Sequence, residues 1–236
     1  YEGSSPYVSN VGFQPDLLWV KGRTFASNNR LFDSVRGASA GSLKANGTDA
    51  EATASGQRIT SFEANGFIAP SEAGDINQSG QDFVAWCWKG GGDAVSNTDG
   101  DLATQVSVNT EAGFSIATYT GFYTGDTTKS IGHGLNNKPD IFIVKNRTQA
   151  KNWYVYTDII DGSMDFLYLN SADAKGDSSR AVSTNTVNYI GGASTNNVIG
   201  NEYVVYSFHS VDGIQKVGKY TGTGGSVNVE TGFEPA

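Results

Sequence analysis

The sequence has little of what usually announces chemistry or compartment. Cys87 is the single cysteine, so no internal disulfide can form and stability must come from packing, from association, or from both. Five prolines and one methionine occur, and no stretch rich in Ala, Leu, Glu and Lys recurs at helical spacing, so helix is expected to be minor. No apolar run approaches the length that spans a bilayer, which argues against membrane insertion. Basic residues are outnumbered, with Lys and Arg at 16 against Asp and Glu at 24, and the net charge of −8 is spread thinly. Clustered Lys and Arg are missing, and with them the footprint of a nucleic-acid binder. Tyr1-Glu-Gly3 is not a signal peptide and there is no initiator Met, so the chain reads as a segment of something larger or a processed product.

Glycine is plentiful, at 30 residues among abundant Ser, Thr and Asn, while hydrophobic residues stand at 38% and charged ones at 17%. Many turns and a modest apolar fraction point to an all-β protein with long polar loops.

The chain repeats itself. Pro15-Asp-Leu-Leu-Trp-Val-Lys-Gly-Arg-Thr24 aligns without a gap on Pro139-Asp-Ile-Phe-Ile-Val-Lys-Asn-Arg-Thr148, 124 positions later (139 − 15). Leu43-Lys-Ala-Asn46 keeps that register with Leu167-Tyr-Leu-Asn170. Gly80 to Lys89 then matches Gly200 to His209 at an offset of 120 (200 − 80). Tyr1-Glu-Gly3, Tyr119-Thr-Gly121 and Tyr220-Thr-Gly222 each precede Gly-Phe or Gly-Leu and a proline, the last being Pro235. Two tandem modules are expected, 1–117 and 118–218, with 219–236 starting a third repeat or closing the second. Continuous apolar runs at Leu17 to Val20 and Ile141 to Val144 suit strands buried on both faces. Further strands are expected near Leu31 to Val35, Arg58 to Phe62, Gly66 to Ala69, Ser115 to Tyr119, Val155 to Ile159, Asn185 to Ile190 and Gln215 to Tyr220. Short strands with Gly, Asn and Asp turns indicate β-sandwich or jelly-roll modules.

Candidate sites divide between chemistry and packing. In Phe83-Val-Ala-Trp-Cys-Trp-Lys89, alternation places Val84, Trp86 and Trp88 on one face, matched by Val204, Tyr206 and Phe208. That face is expected to be core, with Trp86→Ala costing about 3–5 kcal/mol. Cys87 matches Ser207, and neither His133 nor His209 has a histidine counterpart, so no nucleophile or base recurs. Asp16, Asp33, Asp140, Asp158 and Glu202 are carboxylates available for a glycosidase pair, which spacing alone does not establish. Asn97-Thr-Asp-Gly-Asp101 has the oxygen density of a calcium loop without its downstream Glu, and a polar turn is the plainer reading. Gly90-Gly-Gly92 lacks the residues of a phosphate loop and reads as a linker or turn. Asn152-Trp153-Tyr154 and Phe122-Tyr123 are candidate glycan contacts, since a sugar stacks its apolar face on a ring beside polar partners. Packing explains the same aromatics. No enzyme and no cofactor are expected.

Gly-Phe-x-Pro-Asp-Leu-Leu-Trp-Val-Lys at 12–21, Leu-Phe-Asp-Ser-Val-Arg-Gly at 31–37, Ser-Phe-x-x-Asn-Gly-Phe at 61–67, Phe-Val-Ala-Trp-Cys-Trp-Lys at 83–89, Ser-Asn-Thr-Asp-Gly at 96–100 and the Tyr-Thr-Gly triplets together resemble a repeated domain of marine tailed-bacteriophage virion proteins. The resemblance covers nearly the whole chain. It implies concanavalin-like or jelly-roll sandwiches in a tail fibre, adhesin or particle-surface protein, extracellular or on the virion. It also implies a homo-oligomer, other virion proteins as partners, and a host-surface glycan as a further one. Asp158-Ile-Ile-Asp-Gly162 departs from Ser34-Val-Arg-Gly37 and marks a surface that has specialised.

Overall fold

A computed structural model describes residues 7–70, 74–123, 128–179, 181–190 and 196–234. The Tyr1-Glu-Gly3 motif and Pro235 lie outside the described residues. Apart from one 3-10 turn at Ser55–Gln57, the regular elements are strands. The first part holds β1 (Tyr7–Val8), β2 (Leu17–Gly22), β3 (Arg30–Asp33), β4 (Leu43–Lys44), β5 (Ser61–Glu63), β6 (Gly66–Ile68) and β7 (Phe83–Trp88). Next come β8 (Val95–Asn97), β9 (Thr104–Asn109) and β10 (Phe114–Thr120). The last part holds β11 (Lys129–Gly132), β12 (Ile141–Asn146), β13 (Tyr154–Thr157), β14 (Asp165–Tyr168), β15 (Gly176–Asp177), β16 (Val182–Ser183), β17 (Val187–Ile190) and β18 (Glu202–Phe208).

The sequence repeat reappears as a repeated strand order. β4-β3-β2-β7 is one sheet, and β14-β13-β12-β18 recurs inside the eight-stranded sheet β15-β14-β13-β12-β18-β10-β9-β8. The small sheet β1-β6-β5 has its counterpart in β11-β17-β16. β8 and β9, which precede residue 117, extend the sheet of the second repeat through β10. No strand forms over Gln215 to Tyr220, where only the single bridge Val211↔Gln215 occurs.

Alternation along the strands sorts side chains into three cores. Leu17 and Leu31 of the four-stranded sheet meet Ile116, Val204 and Tyr206 of the eight-stranded sheet, with Leu43 and Trp153 filling between them. Their neighbours Leu18, Val20 and Phe32 point the other way, under Phe67 and Ala69 beside the small first sheet. On the far side Phe142, Val144, Tyr203 and Val205 pack with Ile131 and Ile190 of the small second sheet. The result is a four-layered, all-β sandwich in which both large sheets are covered on both faces. This explains why Leu17–Val20 and Ile141–Val144 read as unbroken apolar runs.

Two repeated motifs lock local geometry. The Asp16 carboxylate accepts from Gly90 N–H at 2.7 Å, and Asp140 accepts from Ser210 N–H at 2.6 Å, each tying the entry of β2 or β12 to the exit of β7 or β18. Asn46 Oδ1 accepts from Asn29 N–H, as Asn170 Oδ1 accepts from Trp153 N–H. Gly90-Gly-Gly92 is packed rather than free. A Cβ on Gly91 would stand 2.0 Å from the Val108 carbonyl oxygen, so only glycine allows this strand exit to pass β9.

The expected burial of Trp86 is corrected. Trp86 is 47% exposed whereas its repeat counterpart Tyr206 is 1% exposed. Among the described residues β7 is the last strand of its sheet, while β18 lies between β12 and β10. An edge ring touches neighbours on one side only, here Trp19 edge-on at 6.1 Å. Trp153→Ala is therefore expected to destabilise the protein by about 3–5 kcal/mol in urea unfolding, and Trp86→Ala by about 1 kcal/mol or less.

Candidate functional site

The densest group of polar chemistry lies between the two large sheets. Turn residues after β3 bring Arg36 back over Asp33, whose carboxylate accepts from Arg36 N–H at 2.9 Å and from Nε at 2.6 Å. Both side chains are fully buried. Arg36 Nη1 also bonds Glu51 and the Gly41 carbonyl. Glu51 Oε2 in turn accepts from Arg147 Nη2 at 2.8 Å, and the Glu51 amide donates to the Arg147 carbonyl at 2.8 Å. From the facing sheet Tyr206 donates its hydroxyl to Asp33 Oδ2 at 2.7 Å. Burial opposes the Arg36 charge, but Asp33, Tyr206 and Glu51 more than offset it and hold the proton above the ordinary range. Burial, and then the Asp33 charge, push the Tyr206 phenol far upward.

Lys145 of β12 extends the seam. Its ammonium donates to the carbonyls of Thr48 at 2.9 Å and Lys151 at 2.8 Å, and stands 5.9 Å from the Trp153 ring centroid. Desolvation brings its pKa down to about 8. The bonds from Tyr206 to Asp33, from Arg147 to Glu51 and from Lys145 to the Thr48 carbonyl each cross from one repeat to the other, so the arrangement holds layers together.

The carboxylates nominated for a glycosidase pair are scattered. Asp16 and Asp140 cap strand ends, and Asp33 serves Arg36 and Tyr206. Asp158 pairs with Lys138, while Glu202 accepts from Thr120 Oγ1 at 2.8 Å. His133 is buried, with Nδ1 accepting from Leu135 N–H and Nε2 donating to the Thr184 carbonyl, and desolvation lowers its pKa. His209 Nδ1 donates to the Ser210 carbonyl. Burial pushes the Cys87 thiol up to about 11, so at neutral pH it stays protonated.

The glycan candidates do not come together as one surface. Trp153 is 0% exposed, its indole N–H donating to the Lys44 carbonyl at 2.9 Å, so it cannot stack on a sugar. Tyr154 points to the opposite face of β13, among Tyr156, Phe166 and Tyr168. Asn152 Oδ1 accepts from Asn170 Nδ2 at 2.9 Å within the turn clamp. Phe122 is 55% exposed, with its backbone N–H on Asn197 Oδ1 at 2.8 Å, and Tyr123 beside it is half-buried.

The loop nominated for calcium satisfies its own oxygens. Asn97 Oδ1 accepts from Asp99 N–H, and Asp101 Oδ2 accepts from the Ser130 N–H and hydroxyl. Among the described residues, metal-ligand spacing is met by Asp161, Asp165 and Asp177. The Lys175 ammonium sits between them at 2.7, 2.7 and 2.9 Å, taking the place of a cation. Asp161 belongs to the segment where the second repeat departs from the first, and Lys175 stands 124 positions after Glu51 (175 − 51). One repeat uses these places for a buried seam and the other for an ion cluster in which Asp161, Lys175 and Asp177 are exposed over the buried Asp165. Sequence reading missed Arg36, Glu51 and Arg147; the signal available was the divergence at 34–37 against 158–162.

Over residues 1–236 the chain matches the family described as Domain of unknown function (DUF7483). It belongs to that family. No curated protein and no solved structure matches it.

Removing Arg36 would leave Asp33 buried without its cation and Glu51 with Arg147 alone, so Arg36→Met is expected to cost about 3–5 kcal/mol in equilibrium unfolding. Lys145 gives a pH signature. Its folded pKa, about 8, lies below the ordinary 10.5, so between these values the unfolded chain holds a proton that the folded chain has released. The cost of burying the charge is full below pH 8 and fades as pH rises toward 10.5. Relative to Lys145→Met, the natural chain is expected to gain stability over that window; parallel denaturation curves at pH 7 and pH 9.5 check it.

Proposed function

We propose that the chain is a structural or adhesive component of a virion, placed on a tail fibre or particle surface and engaged in host attachment. The observation that carries this reading is the repeated strand order with both large sheets covered on both faces. Such a unit gains size by stacking copies of itself, which suits a part that must be rigid and present surface many times over. The resemblance of its motif order to that of phage virion domains supports the same reading. So does the use of the buried charges, which bind layer to layer. Homo-oligomeric assembly with other virion proteins belongs to this proposal. Immunogold labelling with antibodies against the chain, together with mass spectrometry of purified source particles, tests it. Label on intact particles is expected, and a chain confined to the lysate and absent from particles would overturn the reading.

A lectin-like role is the second reading, favoured by the exposed Phe122 ring, whose backbone N–H donates to Asn197 Oδ1. A glycan array probed with the chain, with and without calcium, is expected to give hits that Phe122→Ala reduces severalfold. A blank array would remove it.

A further inference from the structure

Three carboxylates of the second repeat gather beside one short strand. The turn after β13 presents Asp161, β14 opens with Asp165 and β15 ends with Asp177, and one oxygen of each lies within 4.8 Å of the others. Asp165 and Asp177 stand directly opposite each other in the antiparallel pair of β14 and β15. Like charges in that position repel. Asp165 is 0% exposed, so its charge is also cut off from water.

Lys175 supplies only part of the compensation. Its ammonium has three N–H groups and gives one to each carboxylate, at Asp161 Oδ2, Asp165 Oδ1 and Asp177 Oδ1. Three negative charges against one positive leave the cluster anionic. The second oxygen of Asp165, Oδ2, is buried and has no hydrogen-bond partner among the described residues. It belongs to a carboxyl group turned into the cluster, bonded to Lys175 and within reach of the Asp177 carboxyl. A buried anionic oxygen without a donor is costly unless a cation comes to it.

The first repeat shows that the strand plan does not require these carboxylates. Phe166 pairs with Gly176 where Ser42 bridges to Ala52, each 124 positions earlier (166 − 42 and 176 − 52), so the places correspond in structure. At those places the first repeat has Gly37, Gly41 and Thr53 for the three aspartates and Glu51 for Lys175. We propose that Asp161, Asp165 and Asp177 form a calcium site, in which the metal exchanges with the Lys175 ammonium.

Ligands that are all oxygen select a hard cation, and calcium takes six to eight of them at about 2.3–2.6 Å, so oxygens on opposite sides of it stand about 5 Å apart. The three carboxylates already span that distance. Asp165 binding through both oxygens brings Oδ2 into use, Asp161 Oδ2 and Asp177 Oδ1 add to it, and water completes the set on the open side. Asp161 is held ready, its Oδ1 accepting from the N–H of Ser163 at 3.0 Å and from its hydroxyl at 2.6 Å. Lys175 hangs on a flexible four-carbon stem with its side chain 32% exposed, so the ammonium swings into solvent without moving the backbone. Magnesium demands near-ideal octahedral geometry at about 2.0–2.1 Å and gives up water reluctantly, which suits this loose set less well. Bound calcium ties the turn before β14 to β14 and to the two-residue strand β15.

Calorimetric titration of the EDTA-treated full chain with calcium chloride, at fixed ionic strength, tests this. One saturable site is expected with Kd of about 0.1–1 mM, and thermal unfolding should move upward as calcium is added. Lys175→Gln removes the competing ammonium and should bind calcium at least about tenfold more tightly than the natural chain. Asp177→Asn, at an exposed position, should weaken binding at least about tenfold, and Asp165→Asn should abolish it. Asp99→Asn, in the other aspartate-rich loop, should bind as the natural chain does. Magnesium chloride should bind more weakly than calcium chloride. A natural chain giving no saturable heat up to about 10 mM calcium, an affinity that Lys175→Gln and Asp177→Asn leave unchanged, or magnesium bound as tightly as calcium would overturn the inference.

Discussion

Contact between the two large sheets is the constraint on which the rest of the structure depends. β2 and β12 are apolar on both faces, so neither sheet can stand with one side in water. The small sheets cover the outer faces, and only the other large sheet is available for the inner ones. That contact is where Trp153 and Tyr206 are buried and where Asp33, Arg36, Glu51 and Arg147 lose their water. A buried ion network adds little net stability by itself, but it penalises every arrangement in which its members do not meet. The apolar layer between the sheets drives the stacking, and the seam restricts it to one register.

Repetition in this chain is a repetition of backbone plan, and the side chains laid on that plan have taken different work. Asp16 and Asp140 do the same job in the two halves, as do the Asn46 and Asn170 clamps. Glu51 and Lys175 do not. One completes a buried bridge to Arg147, and the other draws three carboxylates together at the surface. The difference follows from what lies over each turn. In the first repeat the turn faces the second large sheet and its charges must be neutralised inside; in the second it faces solvent, where an ion cluster costs little and contributes little.

The same contrast governs the aromatic strands. Phe83–Trp88 and Glu202–Phe208 share a pattern, a direction and a pairing partner. Among the described residues, one has a strand on its second edge and the other does not. Exposure of Trp86, the groove beside Ala85 and the half-buried state of Cys87 all go with that difference at the edge.

The sequence by itself determined the all-β class, the duplication and the position of the two continuous apolar strands. These rest on alternation, on glycine and asparagine turns and on internal alignment, all of which are local or self-referential signals. The placing of Asn152, Trp153 and Tyr154 was not readable from them. Alternation put Trp153 and Tyr154 on opposite faces of one strand, but which face met another sheet depended on residues more than a hundred positions away, such as Lys44. The burial of Trp153, the exposure of Trp86 and the meeting of Arg36 with Glu51 and Arg147 were decided by tertiary structure alone. A pattern of period two specifies two faces and cannot say what covers either, because covering is supplied by another part of the chain and its energy exists only once the layers meet.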